Sequence, residues 1–222
     1  MQTANGSQHS TAVGRRALYA LTTGNYNTAV GSASQYNTTT GISNTSMGID
    51  SLNALTTGSY NVAIGGNCLD ALTTASANVA VGYEALGANQ TGVQVTAIGY
   101  QALKVNTSSY NTAVGYQALD ACTTGQANVA VGDGSLGAIT TGGYCTAIGH
   151  FALHNTTTQY NVAVGANAGR ENVGGYVTAI GNNACRSNTT GDQNTALGNS
   201  ALYQNQTGIN NTAVGNLSLI HI

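Results

Sequence analysis

One short pattern of polar and apolar positions returns along the whole chain: Asn, then Thr or Val, then Ala, then Val or Ile, then Gly. Successive copies are 16 or 17 residues apart, and their closing glycines lie at positions 14, 31, 48, 65, 82, 99, 115, 132, 149, 165, 181, 198 and 215. A period this constant is typical of a solenoid, in which each repeat is one coil that packs on its neighbours. The pattern therefore predicts a stack of about thirteen coils.

The residues before each closing glycine are typical of a β-strand, since β-branched side chains alternate with alanine. The residue directly before the glycine is always apolar, as at Val81, Ile98, Val114 and Val131. We expect these four side chains to point into a core and to form a continuous buried row. Alanine would then lie on the opposite face of the strand, and the leucine four residues after the glycine in ten coils would form a second core row.

Two further positions of the repeat predict structural roles. The glycine is invariant in all thirteen copies, including Gly82, Gly99, Gly115 and Gly132. That invariance predicts a positive φ or a close approach to the next coil. Four residues before the glycine, nine coils carry asparagine, among them Asn111 and Asn128. With coils about 4.8 Å apart, these amides would hydrogen-bond to one another as a ladder along the stack.

These features together predict an all-β fold, a parallel β-solenoid of 16–17-residue coils that covers residues 10–219. Units of this length are too short for two helices and a turn, and the glycine-punctuated β-branched motif has low helix propensity. The 20-to-29-residue pattern of leucine-rich repeats is absent. Residues 1–9 hold only a worn copy of the motif and are expected to form an irregular N-terminal cap.

Composition narrows the function more than it identifies it. The 222 residues include one Phe, no Trp and no Pro, and 5% are charged. With five Lys and Arg and a formal net charge of −2, the chain lacks the basic surface that nucleic-acid binding requires. No apolar run approaches the roughly 18 residues of a membrane span. The four cysteines, at dispersed positions of the repeat, are interpreted as small buried residues.

No constellation of residues points to catalysis, to a metal or to a cofactor, and we expect a protein that is not an enzyme. Glycoside hydrolysis needs two carboxylates about 5 to 10 Å apart. No two acids occupy the same register on adjacent coils. His150 and His154 have a spacing that suits a metal on a helix, but this segment is not predicted to be helical.

Tyrosines are the most prominent candidates for a binding surface. They either precede the motif directly or follow its glycine, so that they would stand in rows: Tyr60, Tyr83, Tyr100, Tyr110, Tyr116, Tyr144 and Tyr160. Aromatic rings beside amides and hydroxyls suit a ligand such as a sugar. The alternative is that these tyrosines cover the corners of the solenoid or a subunit interface.

Two pieces of the sequence resemble known repeat families. Asn61-Val62-Ala63-Ile64-Gly65 is similar to the head repeats of trimeric autotransporter adhesins, and the longer unit that begins at Tyr110 and runs through Leu119 resembles repeat arrays of phage tail fibres and surface proteins that precede an endosialidase-type chaperone domain. The resemblance implies a left-handed β-roll and a homotrimer. This chain departs from the adhesin repeats by two or three more residues per coil and by its leucine row.

Two classes of function follow as expectations. The first is a structural or adhesive segment of an extracellular fibre, at a cell surface or on a virion, that binds a host glycan or protein receptor. The second is ice binding through a threonine-rich face, which is disfavoured because neighbouring threonines on a strand point to opposite sides. The predicted trimer would place the alanine face of the strand against other copies.

The C-terminal residues 217–222 allow two interpretations. Leu217-Ser218-Leu219-Ile220-His221-Ile222 resembles the translation of an adapter used in sequencing libraries, which would make it a non-native tail on a metagenomic reading frame. The alternative is a truncated repeat, since Ser218 and Leu219 fit the register of the coil.

Overall fold

The computed structural model describes residues 9–220 and contains thirteen three-residue β-strands and no helix within that range. Each strand covers the three residues before a motif glycine. The strands are β1 (Thr11–Val13), β2 (Thr28–Val30), β3 (Thr45–Met47), β4 (Val62–Ile64), β5 (Val79–Val81), β6 (Thr96–Ile98), β7 (Thr112–Val114), β8 (Val129–Val131), β9 (Thr146–Ile148), β10 (Val162–Val164), β11 (Thr178–Ile180), β12 (Thr195–Leu197) and β13 (Thr212–Val214).

The chain divides into two units, Met1–Asn111 and Thr112–Ile222. In the first unit, strands β1 to β6 pair in chain order, and every pair is parallel. In the second unit, β7 to β13 pair in the same way. Equivalent motif residues are always partners, as Ala113 and Ala130 are. The predicted all-β parallel β-solenoid is confirmed.

The side chains of each strand point in the opposite directions from those predicted. Alanine is the buried residue of the strand, and Ala113 and Ala130 are fully buried. The predicted buried row is wrong for all four residues that we named: Val81, Val114 and Val131 are only half-buried, and Ile98 is 39% exposed.

The physical reason for this orientation is the width of the coil. The leucine row that the sequence predicted is confirmed, and Leu103, Leu119 and Leu136 are fully buried. The residue before the leucine is small and, except in the first and last coils, buried as well, as at Ala118. The large core side chains therefore come from the segment that follows the motif glycine, and not from the strand. Opposite them only a methyl group fits, so the strand turns alanine inward and its two β-branched side chains outward.

A further core row lies seven residues after each motif glycine and was not predicted. Its members are all buried although their types vary: Leu21, Thr38, Leu55, Leu72, Asn89, Asn106, Cys122, Ile139, Thr156, Asn172, Asn188 and Asn205. The asparagines keep their polar groups satisfied within the stack, since the Nδ2 of Asn205 donates to the Oδ1 of Asn188 at 3.1 Å. The variation in residue type concealed this row in the sequence.

The motif glycines are required for both of the expected reasons. Gly82, Gly99, Gly115 and Gly132 all have φ between +131° and +144°, which L side chains rarely adopt. A Cβ on Gly115 would also lie 2.5 Å from the carbonyl oxygen of Gly132, and one on Gly132 would lie equally close to the oxygen of Gly149. Adjacent coils thus meet backbone to backbone at this position.

The predicted asparagine ladder is confirmed. The Nδ2 of Asn61 donates to the Oδ1 of Asn44 at 3.1 Å, and the same oxygen accepts from the backbone N–H of Asn61 at 3.0 Å. Asn78 repeats both bonds to Asn61. In the second unit, buried Asn128 accepts from the backbone N–H of Cys145 and donates to the carbonyl of Gly142, both at 3.0 Å. Each amide therefore joins its coil to a neighbouring coil.

The repeat register extends to both ends of the described residues. His9, which we assigned to the cap, has a φ of 61° and stacks on Tyr26 with ring centroids 5.4 Å apart, as residues at this register position do elsewhere. At the other end Ser218 accepts a backbone hydrogen bond from Leu202, and Leu219 has the same left-handed φ as the other leucines of its row. The rest of the predicted cap, residues 1–8, and the last two residues lie outside the described range.

The inward alanine can be tested with two adjacent substitutions. Ala113→Val adds two methyl groups where the core has no room, and we expect it to lower the free energy of unfolding by about 1–3 kcal/mol. Val114→Thr changes an outward side chain and should alter it by less than about 0.5 kcal/mol. Urea denaturation measures both. Equal losses for the two variants would contradict the assigned orientation.

Candidate functional site: the strand face and the charged column

Exposure alternates along each motif, and its outward positions form a surface that we call the strand face. The strand face consists of the residues five, three and one before each motif glycine and the residue directly after it. In residues 9–220, eighteen of the twenty-three exposed large apolar or aromatic side chains lie at these positions. Monomeric proteins rarely expose so much apolar surface on one side without a use for it. The strand face is therefore the first candidate site.

The strand face combines regular β-branched rows with very little charge. Thr or Val pairs in register three residues before the glycine, as Thr112 does with Val129, and Val or Ile pairs one residue before it, as Val131 does with Ile148. Within residues 9–220 its only charged Lys, Arg, Asp or Glu side chains are Arg15 and Asp133. Methyl and hydroxyl groups thus repeat at the spacing of adjacent strands, about 4.8 Å.

The predicted tyrosine rows form the two borders of the strand face. Tyr60, Tyr110, Tyr144 and Tyr160 precede the motif, Tyr83, Tyr100 and Tyr116 follow its glycine, and all seven are exposed.

Several of these rings stack on one another. The centroids of Tyr144 and Tyr160 are 5.4 Å apart and those of Tyr83 and Tyr100 are 5.8 Å apart, with nearly parallel planes. Tyr160 also stacks on Tyr176 at 5.3 Å. Because stacked neighbours cover each other's faces, a ring inside a stack offers its edge and hydroxyl to a ligand. Tyr60 differs, since Ser43 and Ala77 occupy its register position on the adjacent coils and leave its faces free of ring neighbours there.

A second candidate surface lies five residues after each motif glycine, and we call it the charged column. Its members are Tyr19, Tyr36, Asn53, Asp70, Gly87 and Lys104 in the first unit and Asp120, Gly137, His154, Arg170, Arg186, Tyr203 and Ile220 in the second. It holds three of the five Lys and Arg residues of the chain. This column was not predicted, because its two acids, Asp70 and Asp120, lie three coils apart and its cations are on other coils. Aligning all charged residues on the glycines would have found it.

In the first unit Lys104 of the charged column forms an ion pair with Glu84, which lies two residues after the motif glycine of the preceding coil. The Nζ of Lys104 lies 2.8 Å from the Oε2 of Glu84, which also accepts a hydrogen bond from Gln101 at 2.8 Å. These two donors hold the pKa of Glu84 below its ordinary value, with the Lys104 bond as the larger cause. Asp70 has the opposite tendency, because burial raises the pKa of its carboxyl and Asp50 and Glu84 add repulsion.

In the second unit the charged column gathers around Phe151. The ring of Phe151 lies 4.7 Å from that of His154, and the guanidinium of Arg170 lies 5.2 Å from its centroid. The Nδ1 of His154 is within 2.7 Å of the carbonyl oxygen of Gly134, so hydrogen bonding to the backbone occupies that nitrogen. Arg186 packs on Tyr203 in a similar way. Within residues 9–220 no group of three or more His, Cys, Asp or Glu side chains is arranged to hold a metal ion.

The four cysteines are free and buried, as their dispersed positions predicted. Burial raises the pKa of Cys68 and of Cys185 to about 12 and that of Cys122 to about 11. A thiol with such a pKa is protonated at neutral pH and is a poor nucleophile. These cysteines therefore serve as small core residues.

Comparisons with protein-family models, with curated proteins and with solved structures yield no match. Among the described residues, no helix has the length and apolar character needed to cross a membrane.

Asp70 and Asp120 provide a test of the electrostatics of the charged column. Burial raises the pKa of both carboxyls above the ordinary 3.8, so the carboxylate form weakens the fold at neutral pH. The stabilisation that comes from the protonated form is complete below pH 3.8 and is lost as the pH rises through the raised pKa. We therefore expect Asp70→Asn and Asp120→Asn to raise the thermal midpoint modestly at pH 7 and to leave it unchanged at pH 3. A gain of equal size at both pH values would contradict this explanation.

Proposed function

We propose that this chain is a structural and adhesive repeat segment of an extracellular fibre or surface adhesin, at a cell surface or on a virion, and that it acts without catalysis. The observation that carries the proposal is the strand face, which presents apolar side chains in regular rows with almost no charge. Such a surface suits association with another macromolecule. The resemblance to adhesin heads and tail-fibre arrays supports the same class.

The proposed assembly is a homotrimer in which copies meet through the strand face. The alanine face that we first expected to mediate this contact is buried in the coil, so it is not available to a partner. The β-branched rows are available, since Ile148 is 41% exposed and Val131 is half-buried. Rigid β-branched side chains lose little rotamer entropy when a partner covers them, which favours packing between identical rows.

The proposed receptor contacts lie on the tyrosine borders of the strand face. Tyrosine combines a broad apolar ring with a hydroxyl group, and it is enriched at binding surfaces for that reason. Neighbouring amides add hydrogen bonds, and the Nε2 of Gln126 already donates to the hydroxyl of Tyr144 at 3.2 Å. A host glycan or a protein receptor would find the same donors and acceptors repeated from coil to coil.

Self-association can be tested with charges placed on adjacent coils. The double variant Val131→Lys/Ile148→Lys adds two like charges to the strand face. The matched control, Thr140→Lys/Thr157→Lys, adds the same charge at exposed positions eight residues after the same two glycines. Sedimentation equilibrium should give three times the 22.3 kDa chain mass for the wild type and the control, and the chain mass for the strand-face variant. A wild type that stays at the chain mass up to high concentration would refute the assembly.

Ice binding remains a second candidate because the structure changes the argument about threonine. The outward threonines lie in one row, three residues before the glycine, and each has Val, Ile, Leu or Met beside it on the same face. A regular row of hydroxyl and methyl groups is the kind of surface that ice binding requires. Valine interrupts this row at Val62, Val79, Val129 and Val162.

Thermal hysteresis separates the two candidates. We expect none from this chain, since the hydroxyl row is broken and tyrosines border it. A measurable hysteresis gap that is lost in Val131→Lys/Ile148→Lys and retained in the Thr140→Lys/Thr157→Lys control would assign the strand face to ice instead.

A further inference from the structure

The charged column contains a slot where one long side chain is missing. Asp70, Gly87 and Lys104 follow one another at this register position on three successive coils. Gly87 carries no side chain, and a cavity lies between it and the Asp70 and Lys104 side chains of the two flanking coils. Two coil spacings separate the flanking coils, roughly 9.6 Å. Van der Waals contacts on the two sides of a sugar ring take up about 7–8 Å between the contacting atoms, so the spacing of the two flanking coils admits one ring.

The lining of the slot is mixed in a way that suits a carbohydrate. Its residues are Asn67, Asp70, Glu84, Gly87, Ala88, Lys104 and Val105, around a cavity of about 260 Å³. Gly87 and the aliphatic side chains of Ala88 and Val105 can cover the apolar face of a ring. The carboxylates, the ammonium group and the amide surround it with acceptors and donors. Three of the twelve charged residues of the chain line this one cavity.

The other glycine of the charged column shows that an open slot is not a general feature of the fold. A Cβ placed on Gly137 would lie 2.7 Å from the imidazole of His154, because that ring occupies the corresponding space. A Cβ placed on Gly87 would be in ordinary van der Waals contact, 3.5 Å from both the Oδ1 of Asp70 and the carbonyl oxygen of Glu84. The space above Gly137 is thus filled by the protein itself, whereas the position above Gly87 has room for a side-chain atom.

The charges of the slot select among sugars. The Nζ of Lys104 lies 2.8 Å from the Oε2 of Glu84. Asp70 is therefore the one carboxylate in the lining that has no ion-pair partner there. Asp50 and Glu84 both act on Asp70 as like charges. A ligand that brings another carboxylate would add to this repulsion, and a ligand that brings an ammonium group would relieve it.

We propose that the slot between Asp70 and Lys104 binds a pyranose with a free amino group, a hexosamine unit of a surface glycan. Its ammonium group would pair with Asp70, and its hydroxyl groups would bond to Asn67 and to the Glu84–Lys104 pair. The inference rests on the proposed adhesive function, since it specifies one receptor chemistry for the same kind of surface protein. It adds a binding site in the charged column to the one proposed on the strand face.

The test compares three single variants by isothermal titration calorimetry with a β-1,4-linked glucosamine trisaccharide as the probe. Gly87→Gln fills the slot, and it does so without backbone strain because Gly87 does not have a positive φ in the range that disfavours side chains. Asp70→Asn removes the carboxylate. Asp120→Asn is the matched control, since Asp120 occupies the same register position and its pKa is likewise raised by burial.

We expect the wild type and Asp120→Asn to bind the probe with equal affinity, and Gly87→Gln and Asp70→Asn to bind it at least tenfold more weakly. The N-acetylated trisaccharide and a galacturonic acid trisaccharide should bind the wild type at least tenfold more weakly than the probe. Equal losses in Asp70→Asn and Asp120→Asn, equal binding of the acidic sugar, or no binding of the probe would overturn the proposal.

Sedimentation equilibrium on the same variants separates this site from the proposed function. If the wild type assembles as proposed but does not bind the probe, only the hexosamine site is refuted. If the wild type shows no assembly although the probe binds, the fibre proposal fails and the slot remains.

Discussion

Close contact between the backbones of adjacent coils is the constraint on which the rest of this structure depends. At each motif glycine with a following coil in its unit, a Cβ would lie within about 2.6 Å of the next glycine's carbonyl oxygen, so the coils can pair only if this position has no side chain. The parallel strands, the asparagine ladder and the stacked core rows all repeat at the spacing set there. A single substitution at a motif glycine would push that coil away from the next one and would strain all three at that point.

The same spacing makes the interior narrow, and the narrow interior decides which way each side chain points. Alanine faces the leucine row because nothing larger fits between them. The coil that contains Gln35 departs from this apolar pattern. Gln35 takes a leucine position and Ser46 takes an alanine position, both are fully buried, and the Nε2 of Gln35 donates to the Oγ of Ser46 at 2.9 Å. The amide nitrogen of Gln35 and the hydroxyl of Ser46 thus enter this core as hydrogen-bonded partners, whereas the Oε1 of Gln35 has no partner in the structure.

Turning alanine inward leaves two very different surfaces on each coil. The strand face receives the β-branched residues and most tyrosines and is almost free of charge, whereas the charged column holds Asp70, Lys104, Arg170 and other ionisable groups. Segregation of this kind gives one surface the apolar character that suits packing against a macromolecule and the other the polar groups that suit small ligands. A repeat protein can build such recognition by varying one column, since changes at an outward position leave the stacking of the core untouched.

Much of the fold could be predicted from the sequence because a repeat samples every position many times. The invariant glycines, the asparagine row and the leucine row each report a local requirement of the backbone or of the coil spacing, and such requirements appear directly as residue identity. The side of the strand that faces the core did not appear in this way. A Thr-Ala-Val segment is apolar on both faces, so the sequence allows either alanine or the two β-branched residues to point inward. Only the packing against Leu119 and its neighbours decided that Ala113 points inward and Val114 outward. The slot at Gly87 likewise depends on three coils at once, and the absence of a side chain becomes a cavity only when the residues above and below it are in place.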